Sequence, residues 1–417
     1  MIDPAELVSS YGSPLYVYQL DALTNAAAQL RSALPDPATL FYSLKANPHP
    51  EVVAELASTG CRAEVSSTGE LMIALQAGCP AQECLYTGPG KTTGELRTAM
   101  SLGVTLFSAE SLRDLSRISD TAEALGTIVR CLLRINGGGG AGQGAIRMTN
   151  RSSQFGFDLD DVHLWAGQAM KTPHVAVVGL HFFPMSNARS ERDLVSSFLE
   201  SIATAARLRD VHGVPVRVLD LGGGFAAPYA KPGPLPEYPT LRSELTAALD
   251  HHFPEYAEGT MELAFESGRH LSGRAGTLHA SVTEVKQSKG SSYGVLDTGI
   301  NHLGGMSGLR RLMPIEARPE TADDRPKERL TLVGPLCAPS DVLGADLEIA
   351  TPNAGDILRI PNVGAYGLTA SLLAFLGREC PAELAIRGDQ VISASRLLVV
   401  REPLSARSIS DAQHRSA

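Results

Sequence analysis

Along most of the chain, short apolar runs alternate with longer stretches in which apolar residues recur every three or four positions. The first pattern suits strands and the second amphipathic helices. Strands are predicted near 39–42, 61–66, 84–87, 104–108, 127–135, 175–182, 215–220 and 261–266, and helices near 21–34, 50–59, 69–77, 93–102, 110–124, 192–212 and 238–252. The run Val175-Ala176-Val177-Val178-Gly179-Leu180 is apolar without alternation, as a parallel strand covered on both faces should be. About eight strand–helix units therefore fall within residues 25–282, the number that closes a (β/α)8 TIM barrel.

Past Thr283 the pattern changes to short strands broken by turns, near 282–288, 292–297, 329–334, 345–350, 356–359 and 394–400. This predicts a C-terminal β-sandwich or barrel domain over 283–404. Ser13-Pro14-Leu15-Tyr16-Val17-Tyr18 reads as a strand inside an N-terminal segment, residues 1–24, that packs with the β domain. Residues 317–329 are charged and proline-bearing and read as an exposed loop, and 405–417 read as a disordered tail. The run of glycines within 137–144 has no helix start after it, so it reads as a surface loop rather than a phosphate cradle.

Composition narrows the function classes. The 36 Lys+Arg against 45 Asp+Glu leave a formal net charge of −9 without a long basic run, which argues against nucleic acid or anionic membrane as partners. The six cysteines (Cys61, Cys79, Cys84, Cys131, Cys337, Cys380) are scattered, with no CxxC pair and no histidine-rich cluster, so neither a disulfide framework nor a metal site is expected. The first residues carry no leader pattern, and no run of ~18 apolar residues occurs. A cytoplasmic protein is expected.

The candidate chemistry lies at predicted strand ends. Lys45 follows Thr39-Leu40-Phe41-Tyr42, and Asn47-Pro48 ends the run. On a barrel this is where catalytic groups collect, and an amine there is able to form a Schiff base; taken alone it is equally a surface lysine. Leu219-Asp220-Leu221 is followed by Gly222, Gly223 and Gly224, whose amides can approach an anion closely, or which simply form a tight turn. The next strand ends in Glu266-Ser267-Gly268-Arg269, a carboxylate beside a glycine and a guanidinium. Acid, anion cradle and amine together suit a ligand with a basic ring nitrogen, a phosphate and an aldehyde, the shape of pyridoxal 5'-phosphate.

These segments also match a family. From about residue 13 to 400 the chain resembles the fold type III pyridoxal-phosphate amino-acid decarboxylases, the group containing diaminopimelate, ornithine and carboxynorspermidine decarboxylases. The resemblance is carried by ordered motifs: Phe41 to Asn47, Ser67-Thr68-Gly69-Glu70-Leu71, Ser153-Gln154-Phe155-Gly156, Gly179-Leu180-His181-Phe182, Asp220 to Phe225, Glu266 to Arg269, Gly334-Pro335-Leu336-Cys337 and Gly364-Ala365-Tyr366. It implies an alanine-racemase-like fold and a pyridoxal 5'-phosphate cofactor. By the same resemblance Lys45 holds the cofactor's aldehyde and Glu266 pairs with its ring nitrogen, while Gly222, Gly223, Gly224, Gly268, Arg269 and Tyr366 bind its phosphate. Glu64, Arg134, His181, Phe183 and Ser186 fall at cofactor-contacting positions. Cys337 becomes the candidate acid that reprotonates the substrate's Cα. Cys337 and Asp341 would complete the site of a partner subunit, so a homodimer with shared active sites is expected.

The departures bear on substrate. Diaminopimelate and ornithine enzymes read Gly-Leu-His-x-His-Val-Gly-Ser-Gln where this chain has Phe183 for the second histidine and Met185 for the glycine. After Cys337 the family carries an acid that meets a distal amine, and here Ala338-Pro339 follow. A distal ammonium would lose its counter-charge, which argues against plain diamino acids. Gly-Pro-Leu-Cys-x-Pro is more similar to the branch from secondary-metabolite and exosortase-associated clusters, including enzymes acting on an aminoacyl group tethered to a carrier protein. Met185, Ala338, Asp341, Arg310 and Arg311 are the substrate-side candidates. A small amino acid or an aminoacyl carrier protein is the expected partner, with a diaminopimelate- or ornithine-type decarboxylase, a racemase and a non-catalytic cofactor-binding regulator as alternatives.

Overall fold

A computed structural model describes residues 2–137, 153–304, 315–320 and 325–404, and the backbone of 144–147. Strand β1 is Leu15–Gln19, and the next eight are β2 Thr39–Ser43, β3 Arg62–Val65, β4 Leu85–Tyr86, β5 Leu106–Ala109, β6 Val129–Asn136, β7 Val175–Phe182, β8 Val218–Asp220 and β9 Glu262–Ser267. Strands β2 to β9 pair in parallel in sequence order, and β9 pairs back onto β2, closing the barrel. Side-chain caps start the helices between them: Ser67, Ser111 and Ser190 each accept from a backbone amide of the first turn, and Thr92 with Glu95 forms a capping box.

The barrel interior is layered, and the layering places the site. Phe41, Leu85, Leu106, Leu132, Val178, Val218 and Ala264 form an apolar plug with one residue from each of seven strands. Side chains two positions apart share a strand face. The next inward residue after each plug residue is therefore Ser43, Thr87, Ser108, Arg134, Asp220 and Glu266, polar in every case. On β7 an irregular register between Cys131 and Leu132 of its neighbour shifts the parity by one, so that His181 joins this polar layer. The layer stands at the C-terminal ends of the strands with an apolar floor beneath it.

The second domain is a mixed sheet built from β10 Gly276–Ser288, β11 Ser291–Leu296, β12 Lys327–Val333, β13 Val342–Ala350, β14 Ile357–Pro361, β15 Ala382–Arg387 and β16 Gln390–Arg396. Strand β1 lies within this sheet, antiparallel to β10 and parallel to β15. β10 starts at Gly276 and runs unbroken past residue 283. Two details differ from the sequence reading. Residues 397–400 are not a strand; the terminal hairpin is 382–396, because Gly388-Asp389 supplies its turn. The stretch 317–329 is only partly an exposed loop: Ala317 is buried, Glu320 pairs with Arg359, and β12 already begins at Lys327. An additional helix, α1 (Pro4–Tyr11), had no strong periodic signal and is started by Asp3 accepting from Ala5 N. Arg310, Arg311 and the tail 405–417 lie outside the described residues.

Gly276 and Gly364 lie in such close contact that a Cβ on Gly276 would sit 2.3 Å from Gly364 Cα. This contact brings the Gly364–Tyr366 segment to the barrel mouth, where Asn47 Nδ2 donates to Gly364 O at 2.9 Å and Tyr366 N donates to Ala46 O at 2.7 Å.

β1 and β15 are also tied by Tyr18 Oη donating to the buried Glu383 carboxylate at 2.8 Å. Burial pushes that carboxyl up to about 7. The folded state then holds the proton more tightly than the unfolded chain, whose glutamates titrate near about 4.3. Its contribution to stability is complete below that value and is lost as pH rises through about 7. Glu383→Gln keeps an acceptor for Tyr18 without the charge. It is expected to leave urea stability little changed near pH 4.5 and to raise it by about 3 kcal/mol at pH 8. Equal effects at the two pH values would contradict this assignment.

Candidate active site

Lys45 sits in a single 3-10 turn, Leu44–Ala46, that follows β2 directly, and proline-bounded residues then start the next helix at Pro50. Its neighbours Leu44 and Ala46 are buried, while its own side chain stays 40% accessible at the pocket mouth. Nζ lies 3.1 and 3.3 Å from the two Glu64 oxygens. Burial opposes the ammonium charge, but the carboxylates of Glu64 and Glu266 outweigh it and hold Lys45 above the ordinary lysine range. Thr87 Oγ1 donates to Glu64, fixing that carboxylate from behind.

Glu266 ends β9 and is 1% exposed. Burial alone would raise its pKa, yet His181, Lys45 and Arg134 together draw it below the ordinary value. His181 Nε2 is 3.2 Å from Glu266 Oε1, and its Nδ1 is 2.7 Å from Ser108 Oγ. Burial works against His181 protonation, and Glu266 with Asp220 overcomes it and raises the imidazole pKa. Asp220 accepts from Gly222 N at 2.8 Å and is itself pushed up, first by burial and then by Glu266. Glu266 Oε1 completes no hydrogen bond although it is buried.

The walls come from other strand ends. Phe183 follows β7, its ring centroid 5.5 Å from Lys45 Nζ and 5.7 Å from Arg134 Cζ. Arg134 is held by Glu110 at 2.9 Å and lies 4.5 Å from the Phe155 ring. Glu110 also accepts from Gly156 N at 2.8 Å, so one carboxylate locks Arg134 and the loop carrying Phe155. Gly224 adopts φ +121, and a Cβ there would meet Leu194 at 2.8 Å; one on Gly268 would meet Ala46 at 2.7 Å. Arg269 Cζ stacks 4.7 Å from the Tyr366 ring, and Tyr229 Oη donates to Tyr366 O at 2.8 Å.

One pocket of about 320 Å³, counted to its open mouth, is lined by Lys45, Phe183, Ser186, Gly223, Gly224, Glu266, Gly268, Arg269 and Tyr366 among others. Glu64, Arg134 and His181 stand against these residues from behind, and Gly222 and Met185 pack beside Phe183 and Gly224. Cys337, Ala338 and Asp341 are elsewhere, on the loop between β12 and β13, and Cys337 is exposed. Asp341 is buried, its two oxygens accepting from Ile300 N and Leu336 N at 2.8 Å each. The sequence reading singled out neither Ser108 and Asp220 under Glu266 nor Thr87 and Glu110 behind the cations. Their signal was available: Thr87, Ser108 and Asp220 each stand two positions after an apolar strand residue.

Comparison with known proteins agrees with this geometry. Residues 20–273 match the family model described as pyridoxal-dependent decarboxylase, pyridoxal binding domain. The chain is 30% identical over 402 residues to the L-glutamyl-(BtrI acyl-carrier protein) decarboxylase of Niallia circulans, covering 93% of this chain and 92% of that one. It is 29% identical to the diaminopimelate decarboxylase of Aquifex aeolicus over 88% and 85% of the two chains. The crystal structure of Helicobacter pylori diaminopimelate decarboxylase complexed with L-lysine has the same fold, with a TM-score of 0.82, 24% identity and 94% and 96% coverage.

The pocket fits pyridoxal 5'-phosphate on its own evidence. Glu266 offers a buried carboxylate oxygen without a hydrogen bond, suited to a protonated ring nitrogen. Gly223, Gly224, Gly268 and Arg269 line the same space without side chains that would block an anion's approach to the backbone. Protein reconstituted with the cofactor and reduced with borohydride is expected to carry it covalently. Lys45→Ala should abolish that retention, and retention undiminished in the variant would remove Lys45 from its place.

Proposed function

The chain belongs to the pyridoxal-dependent decarboxylases, and from that premise we propose that it releases carbon dioxide from an aminoacyl substrate, glutamyl-like and carried on a carrier protein, whose distal end bears no ammonium. The observation that carries this reading is the loop after β12. Ala338 stands directly after Cys337, and the loop's carboxylate, Asp341, has both oxygens committed to backbone amides. A distal ammonium brought to this loop would find no free counter-charge and would cost more to desolvate than a neutral or tethered end. The 30% identity to a glutamyl carrier-protein decarboxylase supports the same reading.

Lys45 would hold the cofactor's aldehyde, Glu266 its ring nitrogen, and Gly222 to Gly224, Gly268, Arg269, Tyr366 and Ser186 its phosphate. When bound, pyridoxal phosphate supplies a sink for the electron pair left when the Cα–carboxylate bond breaks. The chain's own groups do the rest. Glu64, at 3.1 and 3.3 Å from Lys45 Nζ, is in place to accept the proton that the ammonium must lose before the amine reacts. His181 and Lys45 keep Glu266 ionised within a site closed to water, so a proton on the ring nitrogen is stabilised. Phe183 offers an apolar ring face flanked by two cations and no proton to give, leaving reprotonation of Cα to another group. Cys337 is that group in our reading. It is exposed and does not line this chain's pocket among the described residues, which favours its use by a second copy in a homodimer.

The substrate reading is tested by assaying carbon dioxide release from glutamyl carrier protein beside free glutamate, ornithine and diaminopimelate. Turnover of the tethered substrate at least tenfold above the others is expected, and robust diaminopimelate turnover would overturn it in favour of the free diamino-acid alternative. Cys337→Ala is expected to lower carbon dioxide release strongly while leaving the cofactor's visible absorbance intact. Unchanged turnover would take Cys337 out of the reaction.

A further inference from the structure

A second cavity, far along the sheet of the other domain, carries polar groups that the decarboxylation chemistry does not use. Helix α1 lies over one face of this sheet, where Leu7 joins Leu15, Val17, Leu384 and Ile386 in a small separate core. At the open end of that layer is a cavity of about 860 Å³, counted to its mouth, with apolar walls from Ile2, Leu7, Val17 and Ile386. His279 and Arg359, register partners across β10 and β14, both line it. His279 is 4% exposed and its Nδ1 has no hydrogen-bond partner, and Arg359 Nε is likewise buried and unpartnered. Buried polar atoms in native proteins are nearly always satisfied, by protein, water or ligand. Two orphans in one cross-strand pair at one cavity point to something that this chain does not itself provide.

The charges around the cavity define what suits it. Burial, reinforced by Arg359, pushes His279 down to about 4, so the imidazole is neutral at physiological pH. Arg359 is then the cation among the lining residues; Glu320 engages one edge of its guanidinium at 3.3 Å, and other N–H donors of the fork remain. Asp389, on the exposed turn between β15 and β16, supplies a carboxylate on the same rim. A guanidinium, a carboxylate and an apolar wall are the elements that recognise a zwitterion with a hydrocarbon side chain. We propose that this cavity is a binding site for a free apolar α-amino acid, its carboxylate directed to Arg359, its ammonium to Asp389 and its side chain to the apolar wall. The site is separate from the pocket at Lys45 and does not share residues with it.

Titration calorimetry on the cofactor-loaded protein tests this with L-leucine as the probe. Saturable binding is expected, with no change in the cofactor's visible absorbance. Leucinamide, which lacks the carboxylate, and 4-methylpentanoate, which lacks the amine, should each bind at least tenfold more weakly. Arg359→Gln and Asp389→Asn should each weaken L-leucine at least tenfold; the second change lies in an exposed turn and does not disturb the sheet. The proposal is overturned if L-leucine gives no saturable heat. It is overturned equally if binding is undiminished in both variants, or if the heat tracks a change in cofactor absorbance, which would place the ligand at Lys45.

Discussion

A negative charge on Glu266, in a place closed to water, is the constraint around which the barrel is arranged. A buried carboxylate would ordinarily take up a proton. It stays ionised here because His181 at 3.2 Å, Lys45 and Arg134 surround it with positive potential. Each of these must in turn be held: His181 by Ser108, Lys45 by Glu64, Arg134 by Glu110. The result is a connected polar layer, expensive to bury unless every member is matched, resting on an apolar plug that needs no matching. Removing one member strands its partner, so this layer tolerates substitution less well than the plug beneath it.

The two domains meet at the level of this layer. Tyr366 is contributed from beyond β14, yet its amide is fastened to Ala46 O, next to Lys45, and its ring covers Arg269. The close packing of Gly276 on Gly364 makes that possible, since a side chain on either would push the segment away from the barrel mouth. The β domain thus has a structural role in this chain's own pocket, independent of any role of its Cys337 loop in a second copy.

The pocket also differs chemically from one built for diamino acids. Phe183 replaces a titratable ring by one that only stacks, and it is flanked by Lys45 and Arg134 rather than by a proton donor. Met185 packs against the space that a Cβ on Gly224 would take, 3.4 Å away, filling volume near the glycine cradle. Asp341 organises its loop from inside, with Gly299 and Gly334 crowded so closely on its carboxylate that neither admits a side chain. A residue that sequence position alone makes a substrate contact serves here to hold the loop's shape.

Much of this was legible in the order of residues. Repeated apolar runs spaced by helical segments specify eight parallel strands because strand length and side-chain period are local properties, read within one segment at a time. The strand-end residues Lys45, Glu266 and Arg269 were legible for the same reason: each closes an apolar run. Three things were decided only in the folded chain. Strand β1 belongs to a sheet whose other members begin some 260 residues later, and no local pattern encodes a partner so distant. His181 faces the polar layer through a register shift on β7, which depends on pairing with β6 rather than on either sequence alone. The direction of the Asp341 carboxylate is set by amides from two separate segments, Ile300 and Leu336, brought together by tertiary packing. Sequence determined which groups stand at strand ends; the closure of the barrel and the docking of the second sheet decided which of them face one another, because charge pairing acts across space and not along the chain.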